Sequence, residues 1–206
     1  MTMESGDPNG LCSSSRAADP SGVPFDGTLH RASPGTPFVG LDGHRVDDFW
    51  AWAYDNVMTN TNRGVLAEYL VAAALGVLGA PRVDWDAVDL CYRERPIEVK
   101  SAGYVQAWRQ RQLSRPIFSI APRLPDSTTG LPQVAALHSD CYVFCLFTPT
   151  RHDANPLNVG NWQFYPVATT RLPKTRSVGL PTLNRLAEPV PFADLRSVVD
   201  RELGLS

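Results

Sequence analysis

Two acids and a base, Asp89, Glu98 and Lys100, stand in a stretch where apolar and polar residues alternate. It runs Ala87-Val88-Asp89-Leu90-Cys91-Tyr92, then Arg93-Glu94, then Arg95-Pro96-Ile97-Glu98-Val99-Lys100. Period-2 alternation on both sides of a short polar turn predicts a β-hairpin. With the turn at Arg93-Glu94, Tyr92 faces Arg95, Leu90 faces Ile97, Asp89 faces Glu98, Val88 faces Val99 and Ala87 faces Lys100. One face is then apolar (Val88, Leu90, Ile97, Val99), and the other gathers Asp89, Glu98 and Lys100 beside the small Ala87. Carboxylates directly across a strand pair repel. A divalent cation between them removes the repulsion, and hard cations such as Mg²⁺ take one or two carboxylates plus water and substrate phosphate. A lysine on the same face would stabilise charge developing on the phosphate or orient an attacking water. The competing reading is a solvated strand face whose charges hold nothing.

Other elements must bring further groups to that face. Thr59-Asn60-Thr61-Asn62 punctuates the chain, and Asn62 is expected to cap a helix over 63–78 that Gly79 and Pro81 end. Between Gly64 and Ala80 its only charged residue is Glu68. A carboxylate in so apolar a helix is costly unless paired, metal-bound or at an exposed edge. Glu68 is therefore a candidate third acid of the site, with an outward-facing glutamate as the alternative. After the hairpin, Ser101 is expected to open a helix carrying Tyr104, Gln106, Trp108, Arg109, Gln110, Arg111 and Gln112. Gln106 would hold the scissile phosphate or a water, and Arg109 and Arg111 would neutralise neighbouring phosphates.

Strands are expected over 114–120, over 140–147, and over 162–167. The second is apolar throughout and so central; Pro166 favours an edge for the third. The stretch 121–139, rich in Pro, Gly and Thr, reads as a long loop overhanging the substrate groove, with His138 structural. Arg171, Lys174 and Arg176 form a second basic cluster, and 192–203 reads as a closing amphipathic helix. Upstream, residues 1–40 are rich in Gly, Pro, Ser and Asp and read as a disordered tail. Asp47-Asp48 would start a helix whose aromatic residues serve as core or packing surface.

The 206 residues, 43% hydrophobic, suffice for one domain with a sizeable core. Net charge is −2 but unevenly spread: residues 1–90 carry −7, residues 91–123 carry +5, and the remainder balances. The basic stretch adjoins the candidate site, where a phosphate backbone would lie. Cys12, Cys91, Cys141 and Cys145 lack zinc-ligand spacing and read as buried free thiols. No signal-peptide pattern is visible, and the longest apolar run, 65–80, is too short for a membrane span and contains Glu68. A reduced, cytoplasmic protein with no membrane partner is expected. Nucleophile-elbow, phosphate-loop, dinucleotide and zinc-protease motifs are absent.

Asp89 followed by Glu98-Val99-Lys100 resembles the Asp…(Asp/Glu)-x-Lys signature of the PD-(D/E)xK nuclease superfamily. The resemblance covers about residues 46–148 and is most specific at Ile97-Glu98-Val99-Lys100-Ser101 followed by Tyr104-Val105-Gln106-Ala107-Trp108. It implies a restriction-endonuclease-like α/β fold over residues 41–206: a three-layer core with a mixed central sheet of about five strands flanked by helices. It also implies a Mg²⁺-dependent nuclease acting on DNA, with Mn²⁺ as substitute. Asp89, Glu98, the Val99 carbonyl and Glu68 would hold the metal, and Lys100 and Gln106 would complete the catalytic set. Arg109, Arg111, Arg115, Lys174 and Arg176 would contact DNA. No proline precedes Asp89, a departure from the family pattern, and Asp86 stands as an alternative first ligand. Strand parity favours Asp89, and a bulge would reverse that. The rival readings are a DNA-binding or regulatory protein that kept the fold without catalysis, and an interaction protein with a merely charged face. Substrate form, restriction, defence or repair context, and a homodimer are not fixed by the sequence.

Overall fold

The computed structural model describes residues 32–79, 88–122 and 136–205. Its organising element is the hairpin. Arg93 and Glu94 adopt φ of 48° and 64°, the paired left-handed conformation whose twist matches the strands it joins. The turn connects β1 (Leu90–Tyr92) to β2 (Arg95–Gly103), antiparallel, with Leu90 opposite Ile97 and Tyr92 opposite Arg95 as counting required. The ladder stops at Leu90, so Asp89 lies just outside it.

β2 then pairs in parallel with β4 (Cys141–Phe147), and β4 antiparallel with β5 (Trp162–Ala168). The order β1-β2-β4-β5 makes a mixed four-stranded sheet. Every residue of β4 is buried, as its unbroken apolar run demands, and Pro166 lies on the outer strand β5. The expected fifth strand is instead β3 (Ile117–Ser119), paired with β6 (Ser177–Gly179) in a separate sheet. Its inward residue Phe118 packs edge-on against Phe144 at 5.2 Å. β3 therefore lies over the main sheet as a second layer instead of extending it.

Four helices complete the described fold: α1 (Val46–Tyr54), α2 (Asn60–Leu75), α3 (Leu180–Leu186) and α4 (Leu195–Glu202). α2 and α4 cover one face of the sheet, where Ala67, Val71, Leu75, Leu195 and Val199 meet Ile97, Val99, Val143, Cys145 and Phe164. On the opposite face Ala102, Tyr142, Phe144, Tyr165 and Val167 lie under Phe118, Ile120, Val178 and Leu183. The result is α/β with three layers.

Several expectations need correcting. α2 starts at Thr59, whose side-chain oxygen accepts from Asn62 N–H at 3.2 Å. It ends at Gly76, not Gly79, because Gly76 at φ 76° lets its own N–H and that of Val77 satisfy Ala73 and Ala72 carbonyls. No helix opens at Ser101: Ala102 and Gly103 remain in register with Leu146 and Phe147, and residues 104–116 form a loop. The closing helix is split into a 3-10 turn, Phe192–Asp194, and α4. α1 buries none of its residues; Phe49, Trp52 and Tyr54 are exposed, because the apolar stretch 46–54 packs on neither core. Residues 32–40, expected in the tail, are tied to the start of α1 by a Pro37–Arg45 bridge and by Gly35 N–H on Asp47 at 2.8 Å. Residues 1–31, Asp86 and residues 123–135 of the expected overhanging loop lie outside the described residues. Cys141 and Cys145 are free and buried, but Cys91 is disulfide-bonded, contrary to the expected free thiol. No described helix is long and apolar enough to cross a membrane.

A non-glycine residue held at left-handed φ carries a cost that glycine avoids, partly offset by glycine's larger unfolded-state entropy. Glu94→Gly is therefore expected to stabilise the chain by about 0.5–1 kcal/mol, read as a higher midpoint in thermal unfolding. A lower midpoint would mean the turn is not the conformation that defines the register.

Candidate functional site

Alternation along β2 sends Ile97 and Val99 into the helix-covered core and Glu98 and Lys100 to the opposite face. There Glu98 is in register with Tyr142 and Lys100 with Phe144. Glu98 is only 5% exposed. A carboxylate that dry needs a partner, and the Lys100 ammonium donates to Glu98 Oε1. The pair is thus neither a solvated strand face nor a core contact: it lines a cleft between the main sheet and the second layer. Ser119, Ile120, Ala121, Ala136, His138 and Tyr142 form the rest of the lining, around about 300 Å³ including space open to solvent.

Asp89 stands at the edge of the same strand. A two-residue turn is closed by a hydrogen-bonded pair, so alternate pairs bond: Tyr92/Arg95, Leu90/Ile97, and next in line Val88/Val99. The third bond is made by a side chain: Val99 N–H donates to Asp89 Oδ2 at 2.7 Å. This fixes the Asp89 carboxylate against the backbone one residue from Glu98. N–H and C=O of one strand residue point to the same side, so the Val99 carbonyl faces that edge too.

The remaining expected residues divide. Glu68 sits on α2, on the other face of the sheet from the Glu98–Lys100 pair. The Cys145 thiol on that face is pushed well up, first by burial and then by the charges of Asp89 and Glu68. Asp89 and Glu68 thus both act on Cys145, on the helix-covered side of the sheet. Among the described residues no group of three His, Cys, Asp or Glu side chains is placed to hold a metal. What is present, the Asp89 carboxylate and the Val99 carbonyl at one strand edge and the Glu98 carboxylate on the adjoining cleft face, is a donor set of the oxygen type and low count that Mg²⁺ takes from protein. It does not fit ions that require a closed cage of protein ligands.

Gln106 is buried, but away from the cleft and not on a helix. Its Oε1 accepts from both terminal nitrogens of Arg63, at 3.4 and 3.3 Å, and its amide donates to the Gly103 carbonyl at 3.2 Å. Arg63 also donates to the Val105 carbonyl at 3.1 Å and to Asn60 at 2.8 Å. Burial lowers the Arg63 pKa, and its Nε has no hydrogen-bond partner. Gln106 thus joins the loop after β2 to the start of α2. Arg109, Arg111 and Arg115 are exposed on that loop; Lys174 and Arg176 are exposed beside β6, where the Arg176 carbonyl accepts from Ile120 N–H at 3.0 Å. Arg171 is held by Glu202 at 2.6 Å and by the Leu186 carbonyl.

His138, read from sequence as structural, and Tyr142, read only as a strand residue, both line the cleft. Their presence there follows from the parallel β2–β4 register, which no local pattern encodes. No family model matches the chain, and neither a curated protein nor a solved structure matches it.

Removing Gln106 Oε1 leaves a buried guanidinium short of acceptors. Gln106→Ala is expected to cost about 1–3 kcal/mol in denaturant unfolding. Unchanged stability would show that the Arg63 contact contributes nothing.

Proposed function

We propose that the chain is a Mg²⁺-dependent nuclease that hydrolyses DNA phosphodiester bonds on a restriction-endonuclease-like version of its α/β fold. The observation that carries this reading is the 2.7 Å bond from Val99 N–H to Asp89, which holds one acid at the strand edge beside a second acid paired with a lysine. Asp89, Glu98 and the Val99 carbonyl would hold the ion, and Asp89 is preferred to Asp86 on that contact. Bound Mg²⁺ would supply Lewis acidity toward a phosphoryl oxygen and toward water.

The chain's own groups do the rest. Lys100, held beside Glu98, offers hydrogen bonds to an attacking water or to charge developing on the phosphate. Tyr142 and Phe144, beside the pair on the neighbouring strand, limit water on that side. Ser119 and His138 on the cleft wall would orient a bound phosphate. Arg109, Arg111 and Arg115 at one end, and Lys174 and Arg176 near the other wall, would hold neighbouring phosphates. Glu68 contributes negative charge from the helix side of the strand edge. Gln106 serves as a positioning residue through Arg63, not as a catalytic one.

The rival, DNA binding without catalysis, is favoured by one observation, the absence of a third acid beside Asp89 and Glu98 among the described residues. It predicts DNA retention with no cutting.

Cleavage of labelled DNA with Mg²⁺ or Mn²⁺ is expected to fall at least about 10²–10³-fold in Lys100→Ala and Glu98→Gln, with both variants still folded by circular dichroism. Mg²⁺ at about a hundred times its Kd should also stabilise the parent by about 2.7 kcal/mol, an effect lost in Glu98→Gln. Full activity in either variant would overturn the assignment.

A further inference from the structure

Residues 104–116 are not free to move as an ordinary connection. Ser114 N–H donates to the Tyr104 carbonyl at 2.8 Å, closing the loop at its neck. Inside it Gln110 acts as a strut: its Oε1 accepts from Gln106 N–H at 2.7 Å, and its amide donates to the Tyr104 carbonyl at 3.2 Å and to Ser114 Oγ at 3.0 Å. Gln106, gripped by Arg63, ties the same loop to α2. A short loop closed on itself and packed by its own side chains is a fixed surface feature, and such loops are frequently functional.

What this fixed loop presents is specific. Trp108 is 55% exposed. Arg109, Arg111 and Arg115 are exposed around it, and no acid occurs from Ser101 to Pro122. Within a chain of net charge −2, this is a local concentration of positive charge around an uncovered aromatic ring. Its position is equally specific: the loop joins β2, which carries Lys100, to β3, which supplies Ser119 to the opposite cleft wall. From Lys100 to Tyr104 is four residues of extended chain, about 13 Å at roughly 3.3 Å each. A strand threading the cleft would reach this loop within a few nucleotides.

We infer that the loop 104–116 is a preformed platform for an unpaired DNA strand, on which a base stacks against Trp108 while Arg109, Arg111 and Arg115 hold the adjacent phosphates. This deepens the proposed nuclease reading by naming single-stranded DNA, or an unpaired segment of a longer substrate, as what the cleft receives. Ring stacking requires a base face, and a base paired inside a duplex offers none to a flat exposed indole; guanidinium groups alone would serve duplex and single strand alike. The aromatic ring among the arginines therefore favours the unpaired strand.

The experiment is equilibrium binding of a fluorescein-labelled oligothymidylate and of a duplex of equal length, in EDTA so that cleavage plays no part, to the full chain and its variants. The parent is expected to prefer the single strand. Trp108→Ala should weaken that binding about tenfold and leave duplex binding unchanged, and Trp108→Phe should restore most of it. Circular dichroism establishes that each variant is folded. Equal affinity of the parent for both DNA forms, no binding of either, or undiminished single-strand binding by folded Trp108→Ala would overturn the platform. Because the assay needs no catalysis, single-strand binding without Mg²⁺-dependent cutting would sustain the platform while refuting the nuclease. Cutting without a Trp108 effect would do the reverse.

Discussion

A carboxylate with almost no exposed surface needs a partner for its charge, and this requirement at Glu98 governs the site. Stripping an acid of water costs on the order of several kcal/mol even after the surroundings relax. Lys100, two residues along the same strand face, supplies the answer. The pair in turn demands a cleft, since burying both under a closed apolar layer would be costlier still. The second layer, β3 with β6, leaves that space: it packs Phe118 and Ile120 onto the apolar part of the face and stops short of the charged part. Asp89 completes the arrangement from outside the ladder, its carboxylate doing for Val99 what a backbone carbonyl does elsewhere in the hairpin.

Much of this is local, and local features are what a sequence displays. The turn at Arg93-Glu94, the opposition of Leu90 and Ile97, and the division of β2 into an apolar and a charged face all follow from period-2 alternation around two polar residues. The buried character of β4 follows from seven consecutive apolar residues. The pairing of Glu98 with Lys100 was legible for the same reason: both lie on β2, and parity assigns them one face, whereas Asp89 falls outside the ladder.

The features that escaped are those decided at a distance. A helix after Ser101 agreed with residue preferences, but Ala102 and Gly103 are captured by Leu146 and Phe147 across the parallel pairing, and Gln110 then satisfies backbone groups that a helix would have bonded internally. Gln106 is drawn to Arg63, a cation whose burial was not visible in a sequence window. Ile117 to Ser119 had strand character, yet nothing local tells a strand which sheet to join; the partner is β6, some sixty residues on. Tyr142 and His138 enter the cleft only because β4 aligns with β2. The aromatic residues of α1 looked like core, but the core is already filled on both faces by other elements.

The most direct test of the nuclease reading is a single time course of DNA cleavage by the unmodified chain, started with Mg²⁺, interrupted by excess EDTA and restarted by fresh Mg²⁺. The account predicts product that accumulates, halts on chelation and resumes on addition, since the proposed chemistry depends on the ion. Cleavage that continues undiminished through chelation would contradict it, and so would a chain that retains DNA but never cuts it in either metal.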